Sequence, residues 1–146
     1  RAVPRNAEGG RVAMSVIINR DGNFAHAAPE FAFAELGSSA TAFDVPEDTD
    51  PATLKIEGVE AYRIAFPSTH DGRGNSIARA LREAGFKGHL RASGKLLADH
   101  FPLHLRCGFD DAEITDDRAL RMPQAQWTDA ASRAHTSYQR RLMRAA

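Results

Sequence analysis

Cysteine is almost absent: Cys107 is the only one in 146 residues. No disulfide can form within the chain, and one thiol cannot build an all-cysteine zinc site or an iron–sulfur cluster. Such usage fits a reducing compartment, so a cytoplasmic location is expected. Net charge is also missing, because 19 basic residues balance 19 acidic ones. That argues against a general nucleic-acid binder, which shows a basic excess, and against an acidic disordered chain. Long apolar runs are lacking too. Val16-Ile17-Ile18 is strand-sized, far short of the roughly 18 residues of a membrane span, so no membrane partner is expected. No signal peptide is visible, and the start at Arg1 rather than Met leaves the native N-terminus open. Lysine is scarce: Lys55, Lys87 and Lys95 stand against 16 arginines. The planar arginine fork suits oxyanions, although abundant Ala and Gly point to GC-rich coding as the source of most of them. What remains, 42% hydrophobic and 26% charged, is the composition of one soluble globular domain.

Residues 1–13 are polar and irregular, with Pro4, Gly9 and Gly10, and are expected to be disordered or foreign to the native chain. Residues 14–146 are expected to form one α/β domain. Met14 to Asn19 reads as a strand closed by Asp21-Gly22. Phe24, Phe31, Phe33 and Leu36 suggest a short helix from Pro29 to Gly37. Thr41 to Val45 is a short strand, and Asp50-Pro51 caps a short helix through Lys55. Val59 to Phe66 alternates, with Val59, Ala61, Arg63 and Ala65 on one face and Glu60, Tyr62, Ile64 and Phe66 on the other. Ser76 then opens a helix with Ile77, Ala80, Leu81 and Ala84 on one stripe, ended by Gly85.

His89 to Ala92 is another strand, followed by a helix from Lys95 that carries Leu96, Leu97, Phe101 and Leu105. Pro102 predicts a kink there, or a break into two short helices. Gly108 is the C-cap, Asp111 to Thr115 a last strand, and Gln124 to Arg144 a helix striped by Trp127, Ala131, Ala134, Tyr138 and Leu142. Strands alternating with helices predict a mostly parallel sheet of four or five strands with helices on both faces.

In such sheets ligands collect at the carboxyl ends of the strands. Two loops qualify, 67–76 and 92–95. In the first, Gly72 and Gly74 permit close backbone approach and left-handed dihedrals. Asn75 or Ser76 would cap a helix whose first amides carry partial positive charge, and Arg73 adds a full one. Together they form an oxyanion cradle, with Asp71 orienting Arg73 or capping the turn. A tight turn serving backbone geometry alone would read the same way. In the second loop Arg91, Ser93, Gly94 and Lys95 repeat the theme. If the strands are neighbours, Arg73, the turn and Lys95 face one cleft, while Arg91 can point elsewhere because strand residues alternate.

Three other features compete. Cys107 follows Arg106, which would activate the thiol if the side chains met, but a lone cysteine is commonly a small buried hydrophobe. His100, His104 and Cys107 lie at i, i+4, i+7, a metal-ligand spacing interrupted by Pro102 and lacking a fourth ligand, so no metal is expected. Acidic residues at 44–50 and 110–117 precede a basic end at Arg133, Arg140, Arg141 and Arg144, a polarity that suits an exposed helix end or docking to an acidic partner.

The stretch Phe66 to Ile114 contains Phe66-Pro67, then Asp71-Gly72-Arg73-Gly74 with Ser76, Ala78, Leu81 and Arg82, then Gly88, Leu90-Arg91-Ala92, Gly94 and Asp99, and finally Arg106-Cys107-Gly108-Phe109-Asp110 with Glu113. In these positions it resembles the bacterial domain-of-unknown-function family nine-three-four. It departs from that family at Lys95, where an acidic residue is common, and at His100 and Pro102, where amide and aromatic residues are usual. The resemblance implies a place beside sulfite reduction, since members are labelled oxidoreductases of that process. The residues supply no electron carrier for such a role, with no GxGxxG after the first strand and no CxxC. Any cofactor is therefore left unknown.

The function expected is an accessory protein of sulfur assimilation that binds a small oxyanion or phosphorylated ligand at Asp71–Ser76 with help from Ser93–Lys95. Docking to sulfite reductase and self-association are further expectations. The alternatives are an enzyme using Arg73 with Asp71 or His70, with Cys107 as a further catalytic candidate, and a non-catalytic interaction module.

Overall fold

β-branched and alternating segments supply most of the sheet. The computed structural model describes residues 15–25 and 31–145, with side chains as far as residue 134; the N-terminal expectation for residues 1–13 lies outside them. The strands are β1 (Ser15–Ile18), β2 (Phe24–Ala25), β3 (Ala34–Glu35), β4 (Ala42–Val45), β5 (Ala61–Phe66), β6 (His89–Gly94) and β7 (Asp111–Thr115). The helices are α1 (Arg73–Glu83), α2 (Phe101–Cys107), α3 (Asp116–Arg121) and α4 (Gln124–Ala145). Single 3-10 turns occupy Pro51–Thr53 and Ala98–His100, the first capped by the Asp50 carboxylate.

One sheet takes all seven strands in the order β2-β1-β7-β6-β5-β4-β3. Strands β3 to β7 run parallel, and β1 lies antiparallel to both its neighbours. The expected α/β domain with a mostly parallel sheet is therefore present, with more strands than the four or five foreseen. The extra ones, β2 and β3, are two-residue edge pairings, too short to show a period.

From β4 to β7 each strand lies beside the one before it, always stepping the same way. Right-handed crossovers then put every connection on one side of the sheet. Accordingly α1 packs on α2 and α2 on α4, where helices on both faces had been expected. The covered face is apolar. Tyr62, Ile64 and Phe66 of β5 and Leu90 and Ala92 of β6 are buried with Ile77, Leu81, Phe101 and Trp127 from the helices. Trp127 is fully buried, meets the Phe101 ring edge-on at 5.3 Å and donates its Nε1 hydrogen to the Met122 carbonyl. Each fully buried side chain of this size is worth about 1.5–3 kcal/mol. The predicted stripe of α4 is seen at Trp127, Ala131 and Ala134; its Tyr138 and Leu142, and the basic residues Arg140, Arg141 and Arg144, lie beyond the described side chains.

Several boundaries differ from expectation. Pro29, the proposed start of a helix to Gly37, lies outside the described residues; from Phe31 the chain is irregular and then enters β3. Phe31 and Phe33 instead sit over the second face of the sheet. Helix α1 begins at Arg73, three residues before Ser76, because the Asp71 carboxylate accepts from the Arg73 amide and starts the turn early. Lys95 opens no helix. Leu96 and Leu97 are irregular, and helical turns begin at Ala98. Pro102 falls in the first turn of α2, where its missing N–H costs nothing, so it starts a helix rather than kinking one. Helix α3 has no buried residue and hence no stripe to betray it.

Candidate functional site

Strands β5 and β6 are adjacent and in register, Ala65 beside Ser93 and Phe66 beside Gly94. Their carboxyl ends carry both loops singled out above. Between them opens a cleft of about 250 Å³, floored by Phe66 and Leu96 and lined by Thr69, His70, Asp71, Gly72, Asn75, Lys95, His100, Leu103 and His104.

Two glycines shape its walls. A Cβ on Gly74 would stand 2.6 Å from the Phe66 ring, so Gly74 lets the first turn of α1 lie directly on β5. Gly94 has φ +125°, and a Cβ there would collide with the Phe66 carbonyl. The Lys95 amide donates to that same carbonyl at 2.8 Å, which turns the chain out of the sheet at the cleft. Gly72 has φ −93° and Gly74 is helical with no positive φ, so the expected left-handed dihedrals are not used at either.

Asp71 and Arg73 form a closed pair. The guanidinium contacts both carboxylate oxygens, with Nη2 at 2.6 Å and Nε at 2.9 Å, and the Arg73 amide adds a third bond at 3.0 Å. The Arg73 side chain, and next its amide, hold the Asp71 carboxyl at about 2. Arg73 itself is 58% exposed and stands outside the cleft lining. The amides of Gly74 and Asn75 meet no acceptor among the described residues. Helix α1 therefore presents a positive end beside the cleft, with Lys95 exposed on the rim and without an ion pair among the described residues.

The structure thus brings His70, Asp71, Gly72 and Lys95 to one place. Ser76 lies inside α1, and Arg91 and Ser93 stand on the far face of the sheet with Arg63, outside the cleft, because strand residues alternate. Thr69, Asn75, His100 and His104 also line the cleft, where the sequence suggested only a helix cap at Asn75 and a metal-ligand spacing at the two histidines. His104 is 3% exposed. Its ring meets Phe66 edge-on at 4.9 Å, and its Nδ1 lies 2.8 Å from Asn75 Oδ1. Burial, and secondarily His100, pull its pKa from 6.5 to about 4, so the ring is neutral at physiological pH. Its Nε2 is the one buried side-chain polar atom left without a partner among the described residues. The i, i+4 spacing of His100 and His104 was legible, but Pro102 obscured the helix that carries them.

The histidine–cysteine trio does not converge as ligands. His104 turns to Asn75, while Cys107 is buried with the Arg79 guanidinium 3.5 Å from its sulfur. Among the described residues no group of His, Cys, Asp or Glu is placed to hold a metal ion.

Two other polar regions are closed. On the sheet face opposite the helices Asp44, Arg63, Arg91 and Asp111 stand side by side across four strands. Arg63 binds Asp44 at 2.6 Å and Glu113 at 3.2 Å, and Arg91 binds Asp111 at 2.9 Å. His89 reaches Asp111 at 2.8 Å. Phe33 lies 4.4 Å from the Arg63 guanidinium. A second hollow of about 500 Å³ at the start of β6 includes Arg82, His89 and Asp110. There Arg82 donates to the carbonyls of Phe86, Gly88 and Gly108 and to Asp110. Its donors are committed to holding loops together.

Among the described residues no helix is long and apolar enough to cross a membrane. No curated protein and no solved structure matches the chain. A family model does match, that of the bacterial proteins of unknown function called DUF934, over residues 41–146. The match spans both loops of the cleft and everything from β4 to α4, and the chain belongs to this bacterial family of unknown function.

Proposed function

We propose that the protein binds a small oxyanion, or the anionic group of a phosphorylated ligand, in the cleft between α1 and β6, and serves as a cytoplasmic accessory of sulfur assimilation. The observation that supports binding is that the first turn of α1, through Asn75, and the exposed Lys95 ammonium meet at one cleft at the carboxyl ends of parallel strands, the Asn75 amide without an acceptor and Lys95 without an ion pair among the described residues. A helix N-terminus with a nearby cation is the ordinary physical solution for holding an anion. The sulfur connection rests on the family resemblance alone.

Binding is favoured over a reaction run by Arg73 with Asp71. A carboxyl held at about 2 is a feeble base near neutrality, and Arg73 spends its fork on that carboxylate.

Titration calorimetry with sulfite, sulfate and phosphate tests the reading. Saturable binding of at least one at sub-millimolar level is expected; no heat with any of them at millimolar concentration overturns it. Deletion of the gene should slow growth on sulfate as sole sulfur source and not on cysteine. Equal growth on both would remove the sulfur assignment.

A further inference from the structure

His104 is the atom-level oddity of the cleft. His104 lines the cavity, is 3% exposed, and its Nε2 is buried without a partner among the described residues. A buried polar atom that lacks a partner is uncommon and costly unless something else fills the role. The other ring nitrogen settles what Nε2 can do. Nδ1 lies 2.8 Å from Asn75 Oδ1, and an amide oxygen only accepts, so Nδ1 carries the hydrogen. The ring is neutral, because burial and then His100 depress its pKa to about 4. Nε2 is then a bare lone pair, which can only accept. The other titratable groups facing the cavity are His70, Asp71, Lys95 and His100. Of these Lys95 supplies positive charge, and Asp71 is already matched by Arg73.

We propose that the cleft selects a ligand that carries a hydrogen-bond donor beside its anionic oxygens, the anion resting at the α1 end and Lys95, the donor reaching His104 Nε2. This rests on the anion-binding reading above and narrows it. Hydrogen phosphate has such a hydrogen on the anion itself; a phosphorylated ligand can offer it from a neighbouring hydroxyl. Sulfate has none, and would leave the imidazole lone pair buried and unpaired.

The test is calorimetry at about pH 8, where phosphate and sulfate both carry close to two negative charges. Three probes are compared: inorganic phosphate, sulfate and glycerol phosphate. Phosphate or glycerol phosphate should bind roughly tenfold or more tightly than sulfate, the usual penalty for stranding one buried acceptor. Whichever of the two binds tighter shows whether the donor sits on the anion or next to it. His104→Phe keeps a ring between Phe66 and Phe109 and removes the lone pair; the preference should fall to about onefold while sulfate affinity stays within roughly threefold. Asn75→Leu is a second route, since it frees the hydrogen to move to Nε2, and should likewise erase the preference. Sulfate binding as tightly as both other probes in the unmodified protein would overturn the selection by Nε2 and leave the anion site standing. No binding by any probe would overturn both.

Discussion

The two faces of β5 and β6 use the same kinds of residue to opposite ends. On the face opposite the helices Arg63, Arg91, Asp44, Asp111, Glu113 and His89 all have partners, and two phenylalanine rings lie across them. At the carboxyl ends of the same strands Lys95, the α1 amides and His104 Nε2 have none among the described residues. Charge density does not distinguish the regions; saturation does. A polar cluster with every donor and acceptor committed specifies a structure, whereas one with open valences at a cavity has capacity left for a ligand.

The comparison breaks most visibly if the closed network is opened. Arg91→Leu leaves the Asp111 carboxylate, 5% exposed, with only His89 against it among the described residues. Removing one partner of a buried pair costs about 3–5 kcal/mol. Burial alone would raise the Asp111 pKa, but His89 and Arg91 outweigh it and hold it low, which shows how firmly the pair is matched. A large drop in the urea midpoint is expected, and Arg91→Leu with Asp111→Leu should recover most of it. A midpoint shift under 1 kcal/mol would mean that the network is as dispensable as a surface ion pair.

Next in size is a pH effect that separates the regions. His104 titrates near 4 in the fold and near 6.5 unfolded. The unfolded chain therefore binds the proton first, and stability is lost as pH falls from 6.5 toward 4, by about 3 kcal/mol for one buried imidazole. Asp111 and Asp71 are depressed carboxylates, so their contribution persists down to about 3.8 and is lost only below it. Unfolding curves of His104→Phe should thus lack the slope between pH 6.5 and 4 yet keep the acid slope beneath. Parallel curves for variant and parent would refute the assignment.

Much of this was legible and some was not, for identifiable reasons. The alternation of Val59 to Phe66 foretold both faces of β5, including Arg63 on the one opposite the helices. The two Gly-rich loops pointed to the cleft because parallel topology fixes where strand ends meet. Misreadings arose where tertiary partners reassign a residue. Arg73 was expected to face the cleft with Asp71 orienting it, but the carboxylate takes up its guanidinium and Arg73 stands outside the lining. Phe31 and Phe33 looked like a helical stripe but are placed by stacking on arginines strands away in sequence. Asn75 and His104 are 29 residues apart, so nothing local announces their bond.

A smaller effect tests whether cleft and core are coupled. Gly74→Ala adds a Cβ 2.6 Å from the buried Phe66 ring. Overpacking of that kind costs about 1–3 kcal/mol, against which alanine returns up to about 1 kcal/mol of helix propensity. A net loss of about 1 kcal/mol is expected by thermal unfolding. Because Phe66 floors the cleft, anion affinity should weaken as well. A stabilised variant would show that α1 can lift off β5, and that the cleft wall is softer than its contacts imply.

The smallest effect on stability is the most telling for function. Lys95 is exposed and has no ion pair among the described residues, so Lys95→Met should change unfolding free energy by no more than about 0.5 kcal/mol. If its ammonium is an open valence of the cleft, anion affinity should nonetheless fall roughly tenfold, the scale of one charge-assisted hydrogen bond. Arg91→Leu should show the reverse at temperatures where it remains folded, with stability lost and affinity kept. That crossing of effects is what separates a saturated cluster from an unsaturated one. Should Lys95→Met bind all three anions as the parent does, the ammonium is ordinary solvated surface charge, and whatever affinity the cleft has belongs to the α1 amides alone.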